Sequence, residues 1–188
     1  MPLPGILSRP NLQRLTTLRS RREPDQAWIS DLEGYRQVLQ GGWSERTCHE
    51  SFLEPAGPGV PTSRGQCGVS SAWLAEKLEA RLVRHVTYCY GDVYSVGQDE
   101  SIVLGRHCWI EVGRESDSSR LVVDLTGDQS DALRQHEVLH GPHDELQIRL
   151  DVDYRARIRL KPSELVDDLV YERLIILKQN LAARAVAR

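Results

Sequence analysis

Gly65-Gln66-Cys67-Gly68-Val69-Ser70-Ser71-Ala72-Trp73-Leu74-Ala75-Glu76-Lys77-Leu78 is the stretch from which the fold is read. The apolar spacing predicts a helix from Cys67 to Arg81, since Cys67, Ser71, Leu74 and Leu78 fall on one face at i, i+4, i+7 and i+11. Leu74 and Leu78 must bury that face against something. Cys67 is therefore aimed the same way from the helix's first turn. Free backbone N–H groups and the helix dipole favour a thiolate there, and the thiolate is the nucleophilic form of cysteine. Gly65 and Gly68 let other backbone approach. Upstream, Pro55, Gly57, Pro58, Gly59 and Pro61 mark a loop that delivers the chain to Cys67.

Working outward, further helices are expected over Asp25 to Gln40, which stops at Gly41-Gly42, and over Ser163 to Ala183 after Pro162. In the latter, Leu165, Leu169, Leu174 and Leu177 lie near one stripe. Strands are expected at Val83 to Tyr90, His107 to Val112, Arg120 to Leu125, and from Leu146 toward Leu160. The last alternates throughout: Leu146, Ile148, Leu150, Val152, Tyr154, Ala156, Ile158 and Leu160 share one parity, and the other parity is polar. Period-two patterning of that kind predicts a sheet with one wet face. The fold class is α+β, with helices packed on one face of an antiparallel sheet.

The two middle strands carry chemistry. On the first, His107, Trp109 and Glu111 share a face, and Cys108, Ile110 and Val112 the other. On the second, Val122 and Asp124 share a face. Gly113 to Ser119 is polar and reads as a hairpin connection. A symmetric hairpin sets Val112 opposite Ser119 and His107 opposite Asp124. A one-residue slip would part the pair, because neighbours point to opposite faces. Asp124 is then placed to orient the His107 ring and stabilise its charged form, as the third member of a triad does. Cys67, His107 and Asp124 are the candidate catalytic residues. Cys48, Cys89 and Cys108 read as small buried hydrophobes, and His49 and His85 as structural.

Gly65-Gln66-Cys67, His107-Cys108-Trp109 and Val123-Asp124-Leu125-Thr126 with Gln129 resemble the three signatures of transglutaminase-like cysteine enzymes, which share the papain-like architecture. Within that superfamily the chain is similar to the small bacterial YunG-like family. Trp43-Ser44-Glu45-Arg46-Thr47, the Asp124-Leu125-Thr126 run with Gln129, and more loosely Glu172-Arg173-Leu174 carry that likeness. It covers roughly residues 35 to 178. The resemblance implies a papain-like fold, a Cys67–His107–Asp124 triad and a thioester intermediate, with Gln66 beside the oxyanion site and Trp109 as a wall of the cleft. No metal or organic cofactor is required. The expected partner is an amide- or ester-bearing small molecule, peptide or protein side chain. Water as acceptor makes a hydrolase or deamidase, and an amine makes a transferase.

Two other readings compete. The same fold without chemistry would serve as a binding or immunity-type module. His136-Glu137-Val138-Leu139-His140, followed by His143, is a literal His-Glu-x-x-His, which on a helix binds zinc with Glu137 as base. Gly141-Pro142 ends any helix at once, so a solvated helix end is the expectation there.

Composition bounds the rest. The 188 residues, 40% hydrophobic and 27% charged, suit one domain over residues 23 to 188. A formal net charge of -3 and 6% aromatic residues give no footprint for nucleic acid. Four Cys without a Cys-x-x-Cys pair read as free thiols in a reducing compartment. No apolar run approaches a membrane span, so a cytoplasmic protein is expected. Residues 1 to 22 hold Arg9, Arg14, Arg19, Arg21 and Arg22 and no acid, a basic tail. All but three of the 24 basic residues are Arg, so the tail partly follows the chain's general usage.

Overall fold

A computed structural model describes residues 27–52, 62–97, 100–117 and 119–186. The basic tail, the Asp25 cap and most of the Gly- and Pro-rich loop before Cys67 lie outside the described residues.

The fold is α+β, built on a five-stranded antiparallel sheet. Its strands are β1 (Val86–Ser95), β2 (Ile102–Val112), β3 (Leu121–Asp124), β4 (Leu139–Pro142) and β5 (Val152–Leu160), in the order β4-β3-β2-β1-β5. The helices are α1 (Leu32–Gly42), α2 (Cys67–Ala80), α3 (His143–Leu150) and α4 (Val170–Val186). α2 is the central one. Its residues 67 to 75 are all buried, because it lies between the sheet and α4 and has no wet face along its first two turns.

Both faces of the sheet are covered, where the alternating run predicted one wet face. α2, α1 and α4 bury Tyr88, Cys108, Ile110 and Val123 on one side. Leu133, Leu139 and the α3 residue Leu146 bury Trp109, Val122 and Tyr154 on the other. The run from Leu146 to Leu160 is not one strand. Its first part is the end of α3, which follows Pro142 with Asp144 and Glu145 in its first turn. Acidic residues there complement the helix dipole. Asp151 takes a left-handed conformation (φ 56°) and breaks the helix from β5. Ile148 is accordingly 86% exposed, although its parity had assigned it to a buried face.

Other boundaries move for local reasons. β1 begins only after the left-handed residues Leu82 and His85. The expected helix from Ser163 is two pieces, a 3-10 turn (Pro162–Asp167) and α4. Between them the Asp168 carboxylate accepts the Val170 N–H at 2.8 Å and restarts the helix. That break resets the helical phase, so Leu165, Leu174 and Leu177 are buried while Leu169 is 92% exposed. The first expected helix likewise opens as a 3-10 turn, Ala27–Asp31, before α1.

The β2–β3 hairpin pairs Val112 with Leu121, Glu111 with Val122 and Ile110 with Val123. That register lies two residues from the symmetric one. The connection is two successive turns, with Asp117 N–H bonded to the Arg114 carbonyl and Arg120 N–H to that of Asp117. They use the residues that a symmetric hairpin would have paired. An even slip keeps every side chain on its face, so His107 and Asp124 still share one and meet diagonally instead of head-on.

Candidate active site

Cys67 is the first residue of α2, and the backbone before it is shaped for close approach. Gly65 has φ +73°, and a Cβ there would stand 2.4 Å from the Cys48 sulfur. Trp43 donates its indole N–H to Ser70 at 3.0 Å, fastening the Trp43–Thr47 turn to the helix. Gln66 is buried, and both ends of its amide are engaged by the same turn. Oε1 accepts the Thr47 hydroxyl at 2.9 Å, and Nε2 donates to the Ser44 carbonyl at 3.1 Å. Gln66 therefore anchors the approach to Cys67, the residue that follows it, and gives one of its two amide N–H groups to that turn.

His107 follows a β-bulge. Gly91 pairs with His107 but Val93 with Leu104, so Asp92 alone opposes Gly105 and Arg106. Arg106 is left-handed (φ 54°), and its N–H is held by the Asp92 carboxylate at 2.9 Å. Bulges re-aim side chains in this way. β3 pairs with β2 only as far as Ile110, so the strand edge beside His107 has no β3 partner. The imidazole is buried there, with Nε2 2.7 Å from Asp124 Oδ2.

Asp124 is fully buried and accepts four hydrogen bonds. Oδ2 takes His107 and the Tyr154 hydroxyl at 3.0 Å. Oδ1 takes the Thr126 N–H at 2.8 Å and its hydroxyl at 3.0 Å. Burial pushes its carboxyl up, but the His107 charge and these bonds outweigh that and hold it below the ordinary range. Arg36 fixes the segment after β3. It is buried over the Trp43 ring, donates to the Leu125 carbonyl, and binds both carboxylate oxygens of Asp128 at 3.2 and 2.9 Å.

The thiol and the imidazole perturb one another, and their proton affinities move apart. Cys67 is held well below an ordinary thiol. A hydrogen bond from Cys108 contributes most; burial opposes it, and the His107 bond and charge add to it. Burial pushes His107 down, but the charge and hydrogen bond of Asp124, together with those of Cys67, raise it to about 10. Both directions describe a thiolate beside an imidazolium.

Cys108 is the participant that the sequence reading missed. It points to the α2 face, opposite to His107, and its thiol is pushed well up by its bond to Cys67 and by burial. Tyr88 in turn donates its hydroxyl to the Cys108 sulfur at 3.0 Å. The strand parity that set Cys108 opposite His107 was the available signal, because Cys67 approaches from that side.

Trp109 is not a cleft wall. It is fully buried on the far face, lies parallel to the His107 ring (centroids 6.4 Å, 18°) and meets Tyr154 edge-on at 5.2 Å. It backs the imidazole from within the core. The cavity that reaches Cys67 and Cys108 holds about 290 Å³ and is walled by Tyr88, Tyr90, Val170 and Arg173 among others.

The His-Glu-x-x-His run forms no helix. His136 closes a turn through its N–H to the Leu133 carbonyl, and His140 belongs to β4, paired with Val123. Glu137 lies 3.6 Å from Arg36, and His143 opens α3 with Nε2 against the Tyr154 carbonyl and Asp153. The Gly141-Pro142 break and the strand pairing pull the imidazoles apart. Among the described residues no group of three or more His, Cys, Asp or Glu is placed to hold a metal ion, and no helix is long and apolar enough to cross a membrane.

Comparison with family models, curated proteins and solved structures finds no match to this chain.

Proposed function

We propose that this chain is a cysteine-dependent acyl-transfer enzyme of the papain-like, transglutaminase-like kind, acting through Cys67, His107 and Asp124. The observation that supports the reading most is the buried His107–Asp124 pair at 2.7 Å, with the Cys67 sulfur at the first residue of a buried helix and the proton affinities of thiol and imidazole shifted apart.

In this reading the Cys67 thiolate attacks the carbonyl of an amide or ester. The resulting oxyanion is met by backbone N–H groups at the start of α2, where the helix has no internal acceptors for them. The His107 imidazolium gives its proton to the departing amine or alcohol as the carbon–heteroatom bond breaks, leaving a thioester on Cys67. Neutral His107 then takes a proton from water or from an acceptor amine, which attacks the thioester and restores the thiolate. Asp124 holds the ring and its charge throughout. No cofactor enters these steps.

Turnover of a panel of amides and esters by the wild type and by Cys67→Ala, with intact-mass detection of an acyl-enzyme, tests the proposal. The expected result is a covalent adduct on Cys67 and loss of turnover in the variant. Equal turnover by both proteins contradicts it.

A further inference from the structure

The cavity in front of Cys67 has apolar and aromatic walls but contains two guanidinium groups, Arg106 and Arg173. Arg173 comes from the first turns of α4. A Cβ on Gly68, the residue after Cys67, would stand 3.6 Å from its Nη2. Its other terminal nitrogen, Nη1, is buried and has no hydrogen-bond partner among the described residues. Arg173 makes no ion pair among them either. Asp168 is the one carboxylate among the described lining residues, and its Oδ1 is engaged by the Val170 N–H. A buried donor left without an acceptor is costly, and a guanidinium fork matches the two oxygens of a carboxylate. Arg106 adds a second cation from a left-handed backbone that Asp92 holds in place, and such a conformation persists only where its surroundings fix it.

We infer that Arg173, with Arg106 as the second cation, binds a carboxylate of the substrate, so that the acyl group transferred to Cys67 carries a negative charge within a few bonds of the reacting carbonyl. The proposal rests on Cys67 being the nucleophile. The apolar walls take the intervening carbons, and the exposed Leu169 at the mouth suits the non-anionic end of the same molecule. The substrate class is thus an amide or ester of a carboxylate-bearing acid, not of a plain fatty or aromatic acid.

Alkylation of the full chain by iodoacetate and by iodoacetamide separates this inference from the reading beneath it. The two reagents differ only in a carboxylate against a carboxamide next to the reacting carbon. The iodoacetate-to-iodoacetamide rate ratio at Cys67 should fall about tenfold or more in Arg173→Gln, the loss of a charge-assisted hydrogen bond, the ratio cancelling any general change in the reactivity of the thiol. Arg173→Lys keeps the charge without the fork, so its ratio should lie between the two. An unchanged ratio in a folded Arg173→Gln overturns the carboxylate site and leaves the nucleophile intact. Iodoacetamide reacting at Cys67 no faster than at Cys48 removes the nucleophile itself, and the inference with it. A measurement on the wild type alone covers the case in which the variants do not fold. Glutarate should slow iodoacetamide alkylation of Cys67 saturably, and protection by inorganic phosphate but not by glutarate overturns the assignment.

Discussion

The two faces of the sheet treat the same imidazole differently. On the far face Asp124 accepts four hydrogen bonds, and the buried rings of Trp109 and Tyr154 meet edge-on beside it. On the α2 face Cys67 and Cys108 shift each other's proton affinity in opposite directions, open onto a cavity and stand beside an arginine whose Nη1 has no hydrogen-bond partner among the described residues. One face is saturated with hydrogen bonds, and the other has unused bonding capacity. A site that binds a ligand and changes its charge needs both, because orientation is cheap to maintain where nothing moves and reactivity needs room.

The largest expected effect comes from removing the residue that joins the faces. His107→Gln takes away the proton shuttle and should lower turnover on the order of 10⁴-fold or more, read as kcat on whichever amide or ester the panel identifies. Asp124→Asn attacks the saturated face alone. It removes the charge that contributes most to raising His107, so the imidazole should titrate well below its present value of about 10 by NMR, with turnover lower by roughly 10²–10⁴-fold. The sign for stability follows. A raised imidazole stabilises the fold fully below its unfolded value near 6.5, and this contribution disappears as pH rises through about 10. Asp124→Asn should flatten that alkaline loss in urea unfolding, whereas an unaltered alkaline slope would detach Asp124 from the His107 charge.

Trp109→Ala should cost about 3–5 kcal/mol in the same unfolding experiment, as expected for a large side chain deleted from a closed core. A loss under about 1 kcal/mol would show that the far face can collapse around the gap. On the open face Cys108→Ala should cost about 1–2 kcal/mol, because it strands the Tyr88 hydroxyl, and should move the pH dependence of Cys67 alkylation upward, since Cys108 is the largest contribution lowering that thiol. Tyr154→Phe is the smallest test. Asp124 keeps three of its four bonds, and about 1 kcal/mol of stability is expected to be lost.

Much of the closed face was legible in the sequence. Parity alone placed His107 and Asp124 on one side, and the conclusion survived a register error because the error was even. The helix at Cys67 was legible from its apolar spacing and the glycines beside it. The Leu146–Leu160 run misled because Ile148 and Leu150 satisfy a period of two as readily as Leu146 and Leu150 satisfy i, i+4. The arbiters were Pro142 and the acidic pair behind it. The open face was harder to read. Cys108 looks like filler until α2 is known to pack on its side of β2, and Arg173 gains meaning only when Gly68 and α4 meet. Those contacts join distant segments, and no local pattern encodes them.

The pH dependence of Cys67 alkylation by iodoacetamide, measured with Cys48 as internal reference, tests the central claim most directly. Cys67 lies well below an ordinary thiol, while burial pushes Cys48 up. The account predicts that Cys67 already reacts at its plateau rate at neutral pH, while Cys48 gains rate only in alkali. A Cys67 rate that climbs with pH in step with that of Cys48 would contradict a thiolate–imidazolium pair, and with it the enzyme.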